Sequence, residues 1–94
     1  MARNAPTIIC SHSKGDTIVD ICEAESVYAV FYQGRPIMVR THNPELAYQG
    51  YKYGKTSYPN PGHALRLAQE LNRVYETDQF TVAVLNSGRT VKVN

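Results

Sequence analysis

Hydrophobic residues recur at two different spacings along this chain, and each spacing predicts a different kind of element. Short runs rich in β-branched and aromatic residues occupy positions 7–10, 17–22, 27–32, 37–41 and 80–84. Runs of this length and composition are typical of β-strands. Between positions 64 and 75 the apolar residues recur instead at three- and four-residue steps, which is typical of an amphipathic helix.

The helix is the clearest element that the pattern predicts. Asn60 is a suitable N-cap and Pro61 suits the first helical position. Polar residues separate the members of the apolar stripe, so one face of the helix is expected to pack on a sheet. The stripe consists of Ala64, Leu67, Ala68, Leu71, Val74 and Tyr75.

Two hairpins are predicted from turn residues between apolar runs. Gln33 and Gly34 separate 27–32 from 37–41, and a tight two-residue reversal there favours a hairpin. That register sets Val30 opposite Ile37, Tyr28 opposite Val39 and Ala29 opposite Met38.

The second predicted hairpin joins 80–84 to Val91 and Val93 across Ser87 and Gly88. Earlier in the chain, Gly15 and its polar neighbours mark a turn between the strands at 7–10 and 17–22. The predicted fold is therefore α+β, with an antiparallel sheet of four to five strands and one amphipathic helix packed on one face. At 94 residues, the whole chain from 1 to 94 is expected to form a single domain.

Composition narrows the cellular context. The apolar runs are far shorter than the roughly 20 residues that cross a bilayer, and residues 1–6 lack the apolar core of a signal peptide. We expect a cytoplasmic protein without a membrane partner. In a reducing compartment Cys10 and Cys22 are expected to be free, partly buried thiols rather than a disulfide.

The net charge of +2 hides an uneven distribution along the chain. Residues 16–25 carry four acidic side chains and no basic ones, whereas residues 26–66 carry five basic side chains and one acidic one. Two interpretations stay open: the two regions neutralise each other in the fold, or the second forms a basic surface patch.

The segment from 48 to 58 is the most unusual part of the sequence, with four of the seven tyrosines, two lysines and two glycines. Tyrosine offers a large rigid ring with a polar tip and is favoured at recognition surfaces. Tyr58, just ahead of the helix, is expected to cover the core. For the segment as a whole we predict recognition of a partner. The predicted binding residues are Arg35, Arg40, Tyr48, Tyr51, Lys52, Tyr53 and Lys55.

Candidate catalytic and metal sites are weak. Gly54-Lys55-Thr56 resembles the end of a phosphate-binding loop, but that loop needs a glycine at position 49, where the chain has Gln49. Cys10 and the three histidines match no paired-ligand spacing, and the carboxylates of 16–25 are typical of a solvated strand face. We predict no catalytic residue, no cofactor and no metal.

A resemblance adds context. The stretch that begins at 57–64 and continues through 71–72 to 77–82 resembles a segment of small uncharacterised proteins of bacteria and their phages. The resemblance covers about a quarter of the chain and transfers no functional residue. It implies a small stoichiometric binder, such as an anti-CRISPR or other anti-defence inhibitor.

These observations favour a non-enzymatic interaction protein that binds a macromolecular partner through a Tyr/Lys-rich surface. A protein partner is favoured over nucleic acid. The alternative is a nucleic-acid-binding module in which the same rings stack on bases and the same cations contact phosphates. A third hypothesis is a small hydrolase that uses Cys10 or the carboxylates.

Overall fold

A computed structural model describes residues 5–47 and 50–93 of the chain. It confirms the predicted α+β class, with antiparallel sheets and one helix among the described residues. The elements in chain order are β1 (Ile8–Lys14), β2 (Thr17–Cys22), β3 (Val27–Tyr32), β4 (Arg35–Pro36), β5 (Val39–Thr41), β6 (Lys52–Gly54), β7 (Ser57–Tyr58), α1 (Pro61–Val74) and β8 (Phe80–Leu85).

The main sheet is built around β3. Strand β8 pairs with β3 along its whole length, from Val27 opposite Leu85 to Tyr32 opposite Phe80. The other edge of β3 is shared, since β7 pairs with its first half and β4 with its second half. Strands β1 and β2 form a separate two-stranded sheet, and so do β5 and β6.

The helix begins and ends close to the predicted positions. Asn60 caps it, with its side-chain oxygen accepting a hydrogen bond of 2.7 Å from the Gly62 backbone, and Pro61 opens the first turn. On the exposed face Arg73 donates to Glu70 at 2.5 Å, and this hydrogen bond lowers the pKa of the Glu70 carboxyl.

The core lies where α1 crosses the main sheet, and it is small. The fully buried residues among those described are Val30, Ala64 and Ala68. Half-buried side chains complete it: Tyr28, Ile37, Tyr58, Leu67, Leu71, Phe80 and Val82. Tyr58 therefore covers the core, as its position ahead of the helix predicts.

The apolar stripe of α1 is shorter than predicted. Val74 and Tyr75 were expected on the buried face, but they are 53% and 65% exposed. The helix ends at Val74 with Tyr75 as its C-cap, and Glu76 leaves helical geometry with a φ of 51°. The stripe consequently stops at Leu71.

A side-chain amide joins the end of the helix to the start of β8. Asn72 donates to the Phe80 carbonyl and accepts from the Phe80 amide, each at 3.0 Å. The two hydrogen bonds satisfy the amide and the carbonyl of Phe80, which is half-buried. They therefore fix the position of the end of α1 relative to the start of β8.

The first predicted hairpin forms, but it is much shorter than expected. Gln33 and Gly34 adopt positive φ values of 50° and 77°, as a tight two-residue turn requires, and they set Phe31 opposite Pro36. Pairing stops there because Pro36 has no amide hydrogen to donate. The predicted pairs Val30–Ile37, Tyr28–Val39 and Ala29–Met38 do not form.

The second predicted hairpin is wrong. Residues 86–93 contain no strand, so Val84 and Val82 do not pair with Val91 and Val93. Strand β8 pairs with β3 over six consecutive residues, and its other edge has no strand partner among the described residues. The three residues 91–93 could form only a short ladder, and its few hydrogen bonds do not offset the entropy lost when that segment is ordered.

Strands β1 and β2 form a hairpin, here called the arm, around the turn at Gly15, whose φ is 62°. All of its strand residues are exposed, and among the described elements β1 and β2 pack only against each other. Cys10 and Cys22 are free, but the expectation that they are partly buried is wrong: both are exposed because the arm leaves the core.

Candidate functional site

The candidate site is a two-stranded ribbon made of β5 and β6, which contains Arg40, Lys52 and Tyr53 of the predicted binding residues and is flanked by Tyr51 and Lys55. Its register pairs Val39 with Gly54, Arg40 with Tyr53 and Thr41 with Lys52. Among the described elements, β5 and β6 pack only against each other, so the ribbon projects from the helix-covered sheet. Most of its side chains are exposed.

One face of the ribbon combines an arginine with aromatic rings. Arg40 and Tyr53 are directly opposite each other, so their side chains share this face. The Arg40 guanidinium lies 4.1 Å from the centre of the Tyr51 ring, and the His42 ring is 5.0 Å from the same ring on a tilted plane. We call Arg40, His42, Tyr51 and Tyr53 the cationic-aromatic face.

The rings of this face are available to a partner. Tyr51 is 46% exposed and Tyr53 is 60% exposed, although both are large and partly apolar. A stacked guanidinium at an exposed ring contributes about 0.5–1 kcal/mol, enough to orient both groups without burying them. The face therefore presents an ordered, accessible surface that bears positive charge.

Two hydrogen bonds fix the base of the ribbon to the main sheet. The Thr56 hydroxyl donates to the Ile37 carbonyl at 3.3 Å, and the Val30 amide donates to the Thr56 carbonyl at 2.9 Å. Ile37 itself packs against the core. Both ends of the 39–54 segment are thus held, while the strands between them stay exposed.

An apolar groove lies beside the ribbon. Its volume is about 570 Å³, and its lining includes Met38, Arg40, Leu71, Tyr75 and Phe80. Tyr75 packs near Phe80, with ring centres 5.9 Å apart. Because Arg40 belongs to both features, the groove and the cationic-aromatic face form one continuous surface.

The structure separates the remaining predicted residues. Lys52 lies on the opposite face of the ribbon from Tyr53, since successive strand residues alternate. Lys55 follows the ribbon, with its ammonium 5.2 Å from the Tyr58 ring. Arg35 pairs with Tyr32 in the main sheet rather than in the ribbon, and Tyr48 lies outside the described residues.

His42 is a member of this surface that the sequence did not single out. The sequence indicates His42 only as a weak candidate for metal binding or catalysis. The signal that could have found it is the two-residue spacing from Arg40, which places both side chains on one strand face once the register is known.

The residues considered for metal binding or catalysis lie mainly on the exposed arm. Within 5–47 and 50–93, no three His, Cys, Asp or Glu side chains are grouped so that they could hold a metal ion. Of the arm carboxylates, Asp20 accepts a hydrogen bond of 2.5 Å from Ser11 on an exposed strand. Cys10 is exposed on the same arm.

We compared the chain with models of protein families, with curated proteins and with solved structures, and no match was found. In the part of the chain that the structure describes, no helix has the length and apolar character needed to cross a membrane.

Proposed function

We propose that this protein is a non-enzymatic interaction protein that binds a macromolecular partner through the ribbon and the groove beside it. The observation that carries the proposal is the pairing of exposed Tyr51 and Tyr53 with Arg40 on one strand face. Aromatic rings and arginine are the side chains most enriched among residues that dominate binding energy at interfaces.

A folded protein is the partner that the surface favours. The groove next to the cationic-aromatic face is lined mainly by apolar side chains, Met38, Leu71 and Phe80 among them. Such a groove can accept an apolar anchor side chain, while Arg40 at its rim pairs with a carboxylate. A protein with an exposed apolar residue beside an acidic one fits both features.

Nucleic acid remains a second candidate because of one specific feature. Every charged side chain of the ribbon strands is basic, and Lys55 extends the positive charge toward Tyr58. Rings that stack on bases and cations that contact phosphates are the usual components of a single-strand binding surface. The apolar groove has no role in that mode.

The biological action that we propose is masking. A 94-residue chain that covers a functional surface of a larger protein blocks it stoichiometrically, as phage and mobile-element inhibitors do. The resemblance of segments 57–64, 71–72 and 77–82 to small proteins of bacteria and their phages supports this setting.

The experiment uses the full chain immobilised on a resin and incubated with bacterial lysate at low and at moderate salt. We expect one protein to be retained by the wild type and lost from Tyr53→Ala. The matched control is Leu65→Ala, which removes an apolar side chain that is 50% exposed on the helix, away from the ribbon. Loss of the same protein from the control would contradict the assignment to the ribbon.

A labelled single-stranded oligonucleotide tests the second candidate in parallel. If nucleic acid is the partner, the Arg40→Ala/Lys55→Ala variant, which removes the cations beside the Tyr51 and Tyr58 rings, should reduce the magnitude of the slope of log affinity against log salt by roughly 1.4. For a protein partner we expect little oligonucleotide binding and a slope that the double variant barely changes.

A further inference from the structure

The arm, which is the hairpin formed by β1 and β2, is not expected to be stable on its own. A two-stranded hairpin is marginally stable at best in water unless it packs on something. Yet the arm packs on none of the described elements, and Ile18, Val19 and Ile21 are each more than half exposed. Its apolar side chains therefore lack the cover that a stable strand pair needs.

The exposed area of the whole chain gives the size of the missing contact. A compact protein of 10.5 kDa exposes about 5,400 Å² and has a radius of gyration of about 12 Å. This chain exposes 8416 Å², about 3,000 Å² more, and its radius of gyration is 17.3 Å. Obligate dimers bury about 1,000–2,500 Å² on each chain, so a second copy is large enough to cover much of this excess, though not all of it.

The two faces of the arm differ. Cys10 pairs with Ile21 and His12 with Val19, so these four side chains share one face, here called the apolar face of the arm. The other face carries the hydrogen bond between Ser11 and Asp20, with Ile18 beside it opposite Ser13. An apolar surface can cover the apolar face without burying the Asp20 carboxylate.

The main sheet leaves a matching surface open. Helix α1 packs on the face that contains Val30 and Val82, and no described element packs on the opposite face. We call that opposite face the back face. Its side chains on β3 and β8 are uncharged: Val27, Ala29, Phe31, Thr81, Ala83 and Leu85. Two sheet faces pack about 10 Å apart, so the back face suits a two-stranded arm.

The arm of the same chain is badly placed to reach this surface. Its base lines a cleft of about 860 Å³ together with Tyr28 and Asn60. Tyr28 lies on the helix side of the sheet, since it is two residues from Val30 on the same strand. The base of the arm therefore lies on the helix side of the sheet, opposite the back face.

We propose that two copies of this chain form a dimer in which each arm lays its apolar face on the back face of the other copy. Reciprocal exchange about a two-fold axis covers both open surfaces of both chains. It also leaves the ribbon free, so the dimer does not depend on the function proposed above.

Sedimentation equilibrium of the full chain, from about 1 to about 100 µM, measures the assembly. We expect a mass of about 21 kDa, twice that of one chain. A mass of 10.5 kDa at every concentration would overturn the proposal, whether the monomer is extended or has folded its arm back.

Single aspartates locate the interface. Val19→Asp on the arm and Leu85→Asp on the back face should each weaken the dimer about 30-fold or more, because each places a charge in an apolar contact. The matched controls are Ser13→Asp on the polar face of the arm and Val84→Asp on the helix side of β8, where Val84 is 54% exposed. Both controls should stay dimeric. A dimer that tolerates Leu85→Asp would rule out the back face.

Mixing the two weakened variants tests reciprocity. The Val19→Asp chain keeps an intact back face, and the Leu85→Asp chain keeps an intact arm, so the mixture retains one good contact per dimer. We expect the mixture to associate more tightly than either variant alone. Equal association would contradict arm exchange. The circular dichroism of α1, which both substitutions leave untouched, shows that the variants are folded.

Discussion

The helix-covered sheet and the ribbon contain similar side chains in opposite environments. In the first, Val30 is 1% exposed and Tyr58 packs against it beneath the helix. In the second, Tyr53 is 60% exposed although its strand is fully paired. The comparison shows that apolar and aromatic residues stabilise one region of this molecule and remain available to partners in the other.

The largest effect should come from a charge placed in the helix-covered region. Leu71→Asp sets a carboxylate against the core formed by Val30 and Ala68, without a partner for it, and we expect a loss of about 3 kcal/mol or more. Urea denaturation measures this loss. Leu65→Asp is the matched control: Leu65 is 50% exposed on the same helix, so its variant should change the unfolding free energy by less than about 0.5 kcal/mol. Equal losses would mean that the helix packs through another face.

A smaller loss is expected where the helix and β8 are joined. Asn72→Ala removes both hydrogen bonds to the Phe80 backbone and leaves two half-buried polar groups unpaired, at a cost of about 1–3 kcal/mol. Asn72→Asp should recover part of the loss at most, because a carboxylate can accept from the Phe80 amide but cannot donate to its carbonyl. If Asn72→Ala unfolds in urea at the same midpoint as the wild type, these two hydrogen bonds do not stabilise the fold.

Local pattern was enough to predict the helix-covered region. The cap at Asn60, the turn at Gln33 and Gly34 and the stripe up to Leu71 are all properties of neighbouring residues, and the structure confirms each of them. The predicted strand pairs farther from a turn were wrong. Val39 pairs with Gly54 rather than with Tyr28, and β8 pairs with β3 but not with 91–93.

Pairing between distant strands is decided by competition for edges, which one sequence does not reveal. The same reason explains what was missed at the candidate site. Tyr51 and Tyr53 were noticed from composition, but their joining with Arg40 and His42 on one face follows from the β5–β6 register. The register also puts Lys52 on the opposite face, which composition alone could not show.

The smallest expected effect on folding belongs to the ribbon, and there binding and stability should separate. Tyr51→Ala and Tyr53→Ala remove exposed rings, so each should change the unfolding free energy by less than about 1 kcal/mol. Tyr58→Ala provides the contrast, since its half-buried ring covers the core and its hydroxyl donates to the Lys55 carbonyl at 2.8 Å. That variant should lose about 3 kcal/mol.

The most direct test is the affinity of the folded Tyr53→Ala variant for the protein that the wild type retains, measured by titration calorimetry. If the ribbon is a binding surface, the affinity should fall by about 1–3 kcal/mol while the unfolding free energy stays near that of the wild type. If the variant is instead destabilised by about 3 kcal/mol, and the fraction of unfolded protein accounts for the whole loss of binding, Tyr53 stabilises the fold and the account is contradicted.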